Sequence, residues 1–357
     1  MSLKVKTSKI DPLQALRAFA AIAVMFYHGT EMINAQLGYL FLNNAFKAGF
    51  SGVDVFFVLS GFIILYTSRN KGFGVGEFLK KRFIRIYPIY WVVTILLLLA
   101  YFAAPSADQV HKEDPLVIIG SFLLFPQEKY VLGVAWTLSY EIIFYLVFAL
   151  TYLKSPKLLL YTFLGWISII LITTLFHIQT GIFAIDAFLN PVIINFAFGC
   201  LVAHLYTKYP DFQFWRLSLF AGAILFIVAS VVYCQAVLQD PTAFTAPISR
   251  VYLFGIPATL LIFGSLYLKT VVPRVLVYLG DASYSLYLIH GTVLSILIKL
   301  VVKFHLNEVM NNLAGAILLF TLTVILSCLF YSFVEKRLLT ILNQFFFKSQ
   351  KTKASVV

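Results

Sequence analysis

Charged residues make up only 12% of this 357-residue chain, and the acidic ones number just 15. A soluble globular domain carries about a quarter of its residues charged, so a soluble fold is excluded. Cysteine is scarce and odd in number: Cys200, Cys234 and Cys328, each inside an apolar stretch. That count and spacing exclude a disulfide framework and a cysteine metal site, and the thiols read as small packing residues. No internal repeat, low-complexity tract or inverted pair of broken apolar segments is visible, which argues against a common transporter plan. No cleavable leader is expected, because the first apolar stretch is long and has polar residues inside it. Gly72, Gly74 and Gly76 hint at a dinucleotide fingerprint, but Glu77 breaks it and no strand precedes it. A flexible loop is the reading there.

What fills the chain instead is apolar sequence, 61% of it, with a mean hydropathy of +0.91. Stretches of about 20 apolar residues, each long enough to cross a bilayer, recur throughout. They fall at 13–34, 50–68, 84–104, 131–153, 158–178, 188–207, 217–237, 251–268, 276–300 and 313–335, with a shorter piece at 116–126. The fold class is therefore all-α: a polytopic membrane protein of about ten transmembrane helices. It forms one domain over 1–357 with short tails at 1–12 and 337–357. The net charge of +12 is a topology signal first, and no nucleic-acid partner is expected. With the N-terminus cytoplasmic, all but six of the 27 Lys and Arg fall on the inside; Lys47, Lys112, Lys129, Arg250, Lys299 and Lys303 are the exceptions. Such a bias sets orientation and puts both termini in the cytoplasm.

The informative positions are ionisable groups inside apolar spans, which are costly and mark function by default. His28, Asp54, Glu141 and His290 qualify. Arg17 lies near a membrane face, where snorkelling to headgroups also accounts for it. Its spacing from His28 says more. Eleven residues make about three helical turns, so the two point the same way, roughly 16 Å apart along the axis. That stripe suits a long ligand with an anionic head at the surface and a reactive end within, such as a pantetheine arm.

The stretch "SRNKGFGVGEFLKKRFIRIYPIYW" gathers Arg69, Lys71, Lys80, Lys81, Arg82 and Arg85. Arg82 and Arg85 share one helical face, and guanidinium forks grip phosphates bidentately. A stop-transfer cluster touching lipid phosphates is the alternative, and it suits the lysines. In "AWTLSYEIIFYL", Glu141 lies near mid-bilayer, with Tyr145 one turn on or His28 on another helix as its expected partner. In "GDASYSLYLIH", Ser283, Tyr287 and His290 share a face; His290 is a second catalytic candidate or a packing histidine. Asp281 favours a helix N-terminus. Asp54 either meets an acceptor hydroxyl or pairs with another helix. Ser51, Gly52, Ser60 and Gly61 read as close-packing positions. Glu31, Asp186, His111, His177 and His305 are expected at the outer surface, and His204 at the inner interface.

These motifs together resemble the acyltransferase-3 family of integral membrane proteins. The likeness rests on "LQALRAFAAIAVMFYH" at 13–28, "FSGVDVFFVLSGFII" at 50–64 and "LKKRFIRIYPIYW" at 79–91. It continues with "AWTLSYEIIFYL" at 135–146, "SYSLYLIH" at 283–290 and "FVEKR" at 333–337. Family members carry Pro after the Glu-Lys of the last motif, where this chain has Arg337. The resemblance implies ten helices with both termini inside, and transfer of an acyl group, usually acetyl, from cytoplasmic acetyl-CoA to an acceptor at the outer face. It implies that Arg17 and His28 are essential and that Arg82 and Arg85 take part. Longer members append a hydrolase-like domain; this chain is expected to hold the membrane domain alone. The first helix looks most like the branch that decorates bacterial exopolysaccharides.

The resulting expectation is O-acylation of a carbohydrate, an exopolysaccharide or lipid-linked sugar, in the bacterial cytoplasmic membrane. Arg82, Arg85 and Arg17 would hold the phosphates of acetyl-CoA, and no metal is expected. The thioester would reach His28, acting as base toward the sugar hydroxyl or as acyl relay, with Glu141 or Tyr145 orienting the imidazole. Tyr145, Asp54, Ser283, Tyr287 and His290 are the supporting candidates. A polysaccharide-precursor flippase or anion transporter, using His28 and Glu141 as a proton relay, is the main alternative. A non-catalytic scaffold does not explain the buried ionisable groups.

Overall fold

The computed structural model describes residues 10–69, 74–103, 113–240, 242–244 and 246–353, with side chains up to residue 347. Lys4, Lys6, Lys9, Lys71, Gly72, His111 and Lys112 lie outside the described residues, as do the side chains of Lys348, Lys351 and Lys353. Among the described residues every regular element is a helix.

The first helix, α1 (Asp11–Leu37), starts where its sequence says it should: Pro12 occupies the opening turn, where the missing N–H is harmless, and Asp11 complements the positive helix end. It stops at Gly38, left-handed at φ 69°, whose N–H closes onto the carbonyl of Asn34 at 3.0 Å. After α2 (Gly52–Ser68) comes α3 (Val75–Ala103), which carries Pro88 within it. A helix of nine residues, α4 (Pro115–Leu123), is far too short to cross. The remaining long helices are α5 (Trp136–Thr151), α6 (Pro156–Leu175), α8 (Ile194–Lys208, preceded by the short α7, Phe183–Phe188) and α9 (Trp215–Gln239). Next comes α10 (Pro247–Arg250), joined to α11 (Ile256–Ser265) by a π-helical turn at Val251–Gly255. Then α12 (Arg274–Asp281) leads to α13 (Ser283–Lys303), and α14 (Asn307–Met310) to α15 (Leu313–Phe330). A second π-helical turn, Tyr331–Glu335, joins α15 to α16 (Lys336–Lys353).

Nine helices among the described residues are long and apolar enough to span a membrane. The 27-residue α1 is not one of them by composition, since it carries Arg17, His28 and Glu31. It completes the ten sequence spans all the same, and it packs against α2, α12 and α13 in the interior of the bundle. The protein is an all-α polytopic membrane protein. Its outward surface fits that solvent: α6 and α9 expose Leu160, Leu164, Leu217, Phe220 and Ile227.

Two sequence spans differ in shape from expectation. The stretch 276–300 is not one helix; it breaks at Ala282, where α12 packs its Gly280 against the backbone of Gln14 on α1. Asp281 thus ends α12 and does not open a helix. The third span begins at Val75, nine residues before the apolar stretch, and Arg82 and Arg85 lie on this helix as their shared face requires. The aromatic run around Pro88 has a structural task. Tyr87, Tyr90 and Trp91 donate to the carbonyls of Leu123, Ser121 and Phe122 at 2.9, 2.8 and 2.9 Å. These are carbonyls at the end of α4, where a helix terminus leaves acceptors short of partners; that of Ser121 also takes the N–H of Leu124 at 3.0 Å.

Close approach of α2 and α8 depends on Gly61 and Gly199. A Cβ on Gly61 would meet the Phe196 carbonyl oxygen at 2.1 Å, and one on Gly199 the Val58 oxygen at 2.1 Å. Both clashes are with backbone, which cannot swing aside. Gly199→Val is expected to cost about 1–3 kcal/mol, the usual range for overpacking, read as a lower melting midpoint of the protein in detergent. Gly165→Ala on α6, where nothing lies within 4 Å, should leave the midpoint unchanged or raise it slightly.

Candidate active site

Arginines of three turns meet at one end of the bundle. Arg17 comes from the start of α1 and Arg82 and Arg85 from the start of α3. They line a cavity of about 160 Å³ together with Ser60, Glu141, Tyr145, Ser283, Tyr284 and Tyr287. Each guanidinium has different company. Arg85 is paired: its Nη1 lies 2.8 Å from Oε1 of Glu335, a carboxylate with 0% exposure. The other oxygen of Glu335 accepts from Ser285 at 2.6 Å. Arg82 lies over the rings of Phe78 and Tyr145, at 5.3 and 5.8 Å, and its Nε is buried without a partner. Arg17 makes no hydrogen bond or ion pair among the described residues, with Arg85, Glu335 and Glu141 as its charged neighbours. The lining holds three guanidinium groups against one carboxyl, Glu141, so it favours an anion.

Glu141 sits at the inner wall. Its Oε1 accepts from Ser60 at 2.7 Å and from Tyr145, the partner one turn along the same helix. His28 is not its partner, and neither Glu141 nor Tyr145 orients the His28 ring. Ser60, read from sequence as a packing residue, is a donor to this carboxyl. The reason is geometric: Ser60 and Glu141 come from helices 81 residues apart, and only the packing of α2 on α5 brings them together.

The histidines lie further along. Tyr287 lines the cavity, bonds to the Thr137 hydroxyl at 2.8 Å, and has its ring 6.1 Å from that of His290. His290 stacks on His28, with ring centroids 5.4 Å apart and planes inclined by 29°. Arg17 and His28 are carried by one unbroken helix, so their separation along it is roughly 16 Å. His290 is enclosed, at 1% exposure, while His28 is half-buried. Ser283, also fully buried, turns an unpartnered hydroxyl toward the arginine end.

Asp54 does not belong to this cavity. Fully buried, it takes a hydrogen bond from Asn195 at 2.8 Å and an ion pair from Arg250 at 2.9 Å. Arg250 in turn lies over Phe50 and Trp136. Of the two readings left open for Asp54, pairing with another helix is the one the structure adopts. Outside the cavity, Glu31 pairs with Lys47 at 3.2 Å, Asp186 accepts from the Thr180 hydroxyl at 2.8 Å, and His177, His204 and His305 are exposed. Sequence reasoning passed over Glu335, Asn195 and Arg250. Each had a signal, a polar residue within or at the edge of an apolar span, but its role depends on a helix distant in the chain.

The geometry defines an integral membrane protein with an arginine-lined cavity and, beyond its lining residue Tyr287, a stacked pair of imidazoles. Comparison with known proteins narrows this. The acyltransferase-3 family model, described as an acyltransferase domain, matches residues 10–332, and the chain belongs to that family. The exopolysaccharide production protein ExoZ of Rhizobium meliloti is 28% identical over 71% of this chain and 79% of its own length. The acyltransferase MdmB of Streptomyces mycarofaciens is 32% identical over 42% of this chain and 41% of its own. The peptidoglycan O-acetyltransferase OatA of Listeria monocytogenes is 26% identical over 91% of this chain and 55% of its own. The chain thus spans about half or less of the latter two relatives. No solved structure gives a significant match. The protein is a multi-pass acyltransferase of the bacterial cytoplasmic membrane, and the transporter and scaffold readings give way to an enzyme.

Two ion pairs contrast in setting and should differ in consequence. Asp54→Ala strands Arg250 and Asn195 in the interior and is expected to cost about 3 kcal/mol in denaturation of the detergent-solubilised protein. Lys47→Ala, which breaks an exposed pair, should cost no more than about 1 kcal/mol in the same assay.

Proposed function

We propose that this protein is an O-acetyltransferase that moves an acetyl group from cytoplasmic acetyl-CoA to a carbohydrate hydroxyl, on an exopolysaccharide or a lipid-linked sugar. One observation carries the reading: a cluster of arginines at one end of α1 and an imidazole pair about three turns further along the same helix. The donor has a phosphate-bearing head and a narrow arm ending in a thioester. Arg17 and Arg82 are free of carboxylate partners among the described residues and fit the phosphates; guanidinium is the group of choice for them. The arm would enter the cavity of about 160 Å³ that these arginines line. The excess of Lys and Arg at the arginine end supports its placement in the cytoplasm.

At the inner end, His28 is the group the thioester meets. A neutral imidazole accepts a proton from an attacking hydroxyl or takes the acyl group itself. The acceptor reading draws on the names of the relatives, an exopolysaccharide production protein and a peptidoglycan O-acetyltransferase. A second cavity supports it, beside the start of α5 and away from the arginines. Gln127, Glu128, Lys129, Trp136 and Tyr140 line it, the mixture of aromatic faces and polar tips that sugars bind. Chain 1–357 is read as a single domain with both termini in the cytoplasm.

His28→Ala is expected to abolish transfer of label from radiolabelled acetyl-CoA to extracellular glycan while the protein stays inserted; retained acetylation in that variant would overturn the assignment. The double variant Arg17→Ala/Arg82→Ala, which leaves the Arg85–Glu335 pair intact, should weaken acetyl-CoA binding at least tenfold, about 1.4 kcal/mol, by loss of charge-assisted hydrogen bonds. An unchanged dissociation constant by calorimetry would remove the arginines from the donor site.

A further inference from the structure

The two imidazoles are built differently. Nδ1 of His290 lies 2.8 Å from the carbonyl oxygen of Tyr287 and 3.1 Å from that of Leu286. Carbonyl oxygens only accept, so the proton of the neutral ring is on Nδ1, and Nε2 presents a lone pair. That Nε2 is buried and has no hydrogen-bond partner among the described residues. Its ring is stacked on His28, the residue the thioester meets in the reading above. His28 itself makes no hydrogen bond among the described residues through either ring nitrogen, so no such bond fixes its tautomer.

In nucleophile–base pairs it is the base that is held by a third group, which sets its tautomer and steadies the cation it becomes. Here that description fits His290, with the two backbone carbonyls as the third group, and does not fit His28. An unbonded, half-buried imidazole is better placed to attack a carbonyl carbon than to serve as an oriented base. We propose that His28 carries the acetyl group and that Nε2 of His290 is the catalytic base that takes the proton from the acceptor hydroxyl. The assignment rests on the reading that acetyl-CoA is the donor.

The two steps balance. First, a ring nitrogen of His28 attacks the thioester carbonyl, an N–C bond forms, and the C–S bond breaks. The thiolate that leaves takes the proton released from the acylated imidazolium, giving free thiol and a neutral acetyl-imidazole. Second, the acceptor oxygen attacks the acetyl carbon while its proton passes to Nε2 of His290. The N–C bond then breaks, and the proton on His290 is passed to the departing imidazole nitrogen. Both histidines return to neutrality and no redox partner is needed.

The test uses the full chain in detergent micelles, [¹⁴C]acetyl-CoA, and methyl β-D-glucoside or water as the hydroxyl. His290→Asn retains a side-chain N–H for the backbone carbonyls but lacks the base, and His290→Gln is a second variant should the first fail to fold. Both are expected to bind acetyl-CoA as the wild type does, to release one burst of CoA thiol, and to hold label on the protein. Steady-state turnover should fall about a hundredfold or more, the usual contribution of a general base. Hydroxylamine, which attacks without a base, should discharge the label at the same rate in variant and wild type. His28→Ala should give neither burst nor label. Wild-type turnover in both His290 variants would overturn the proposal, and so would acetyl-CoA binding with no burst. Failure of the wild type to release CoA from acetyl-CoA is a separate result: it refutes the donor, and the base assignment with it.

Discussion

A guanidinium placed within an apolar slab needs an anion, and Arg85 has one in Glu335. That contact organises its end of the bundle. Glu335 belongs to the π-helical turn between α15 and α16, Ser285 comes from α13, and Arg85 from α3, so one carboxylate joins three elements that are remote in sequence. π-helical turns are found at functional sites because the extra residue re-aims a side chain. Here the turn delivers a fully buried carboxylate to a helix whose own face is otherwise basic. With Arg85 neutralised, the positive character of the cavity comes from Arg17 and Arg82, which have no such partner among the described residues. The pair therefore supports the cavity wall and leaves its binding capacity to the other two.

A second buried pair, Asp54 with Arg250, has the same chemistry and another task. It links α2, α10 and, through Asn195, α8, away from the cavity lining. The two pairs show why an ionisable residue in an apolar span is a question and not an answer. Asp54 and Glu335 are each fully buried, yet the first fastens helices away from the cavity and the second holds Arg85 in the cavity wall. What separates them is whether the partner faces the cavity.

Much of this was legible in the residues. Ten spans follow from apolar run length, and the ends of α1 follow from Pro12 and Gly38. The Arg17–His28 stripe and the Glu141–Tyr145 bond follow from helical periodicity, because both relations lie within one helix. Relations between helices were not legible. Ser60 with Glu141, Asp54 with Arg250 and Arg85 with Glu335 depend on the packing of helices 81, 196 and 250 residues apart in the chain. Periodicity fixes which face of a helix a residue occupies but not which neighbour that face meets. The break at Ala282 was hidden for a related reason: "GDASYS" is compatible with helix, and contact of Gly280 with α1 directs the chain to turn.

The two cavities share no lining residue, and α5 shows how they are kept apart. Thr137, Leu138, Glu141 and Tyr145 face one while Trp136, Ser139, Tyr140 and Ile143 face the other, so the helix itself lies between them. Thr137 is also the residue bonded to the hydroxyl of Tyr287, which ties α5 to α13 at this wall. A continuous water column through the bundle would discharge the ion gradient of the membrane around it. Helix α5 thus presents one face to a charged, arginine-lined cavity and the opposite face to an aromatic and polar one, so a transfer between them would need a group that reaches past the helix, not an open channel.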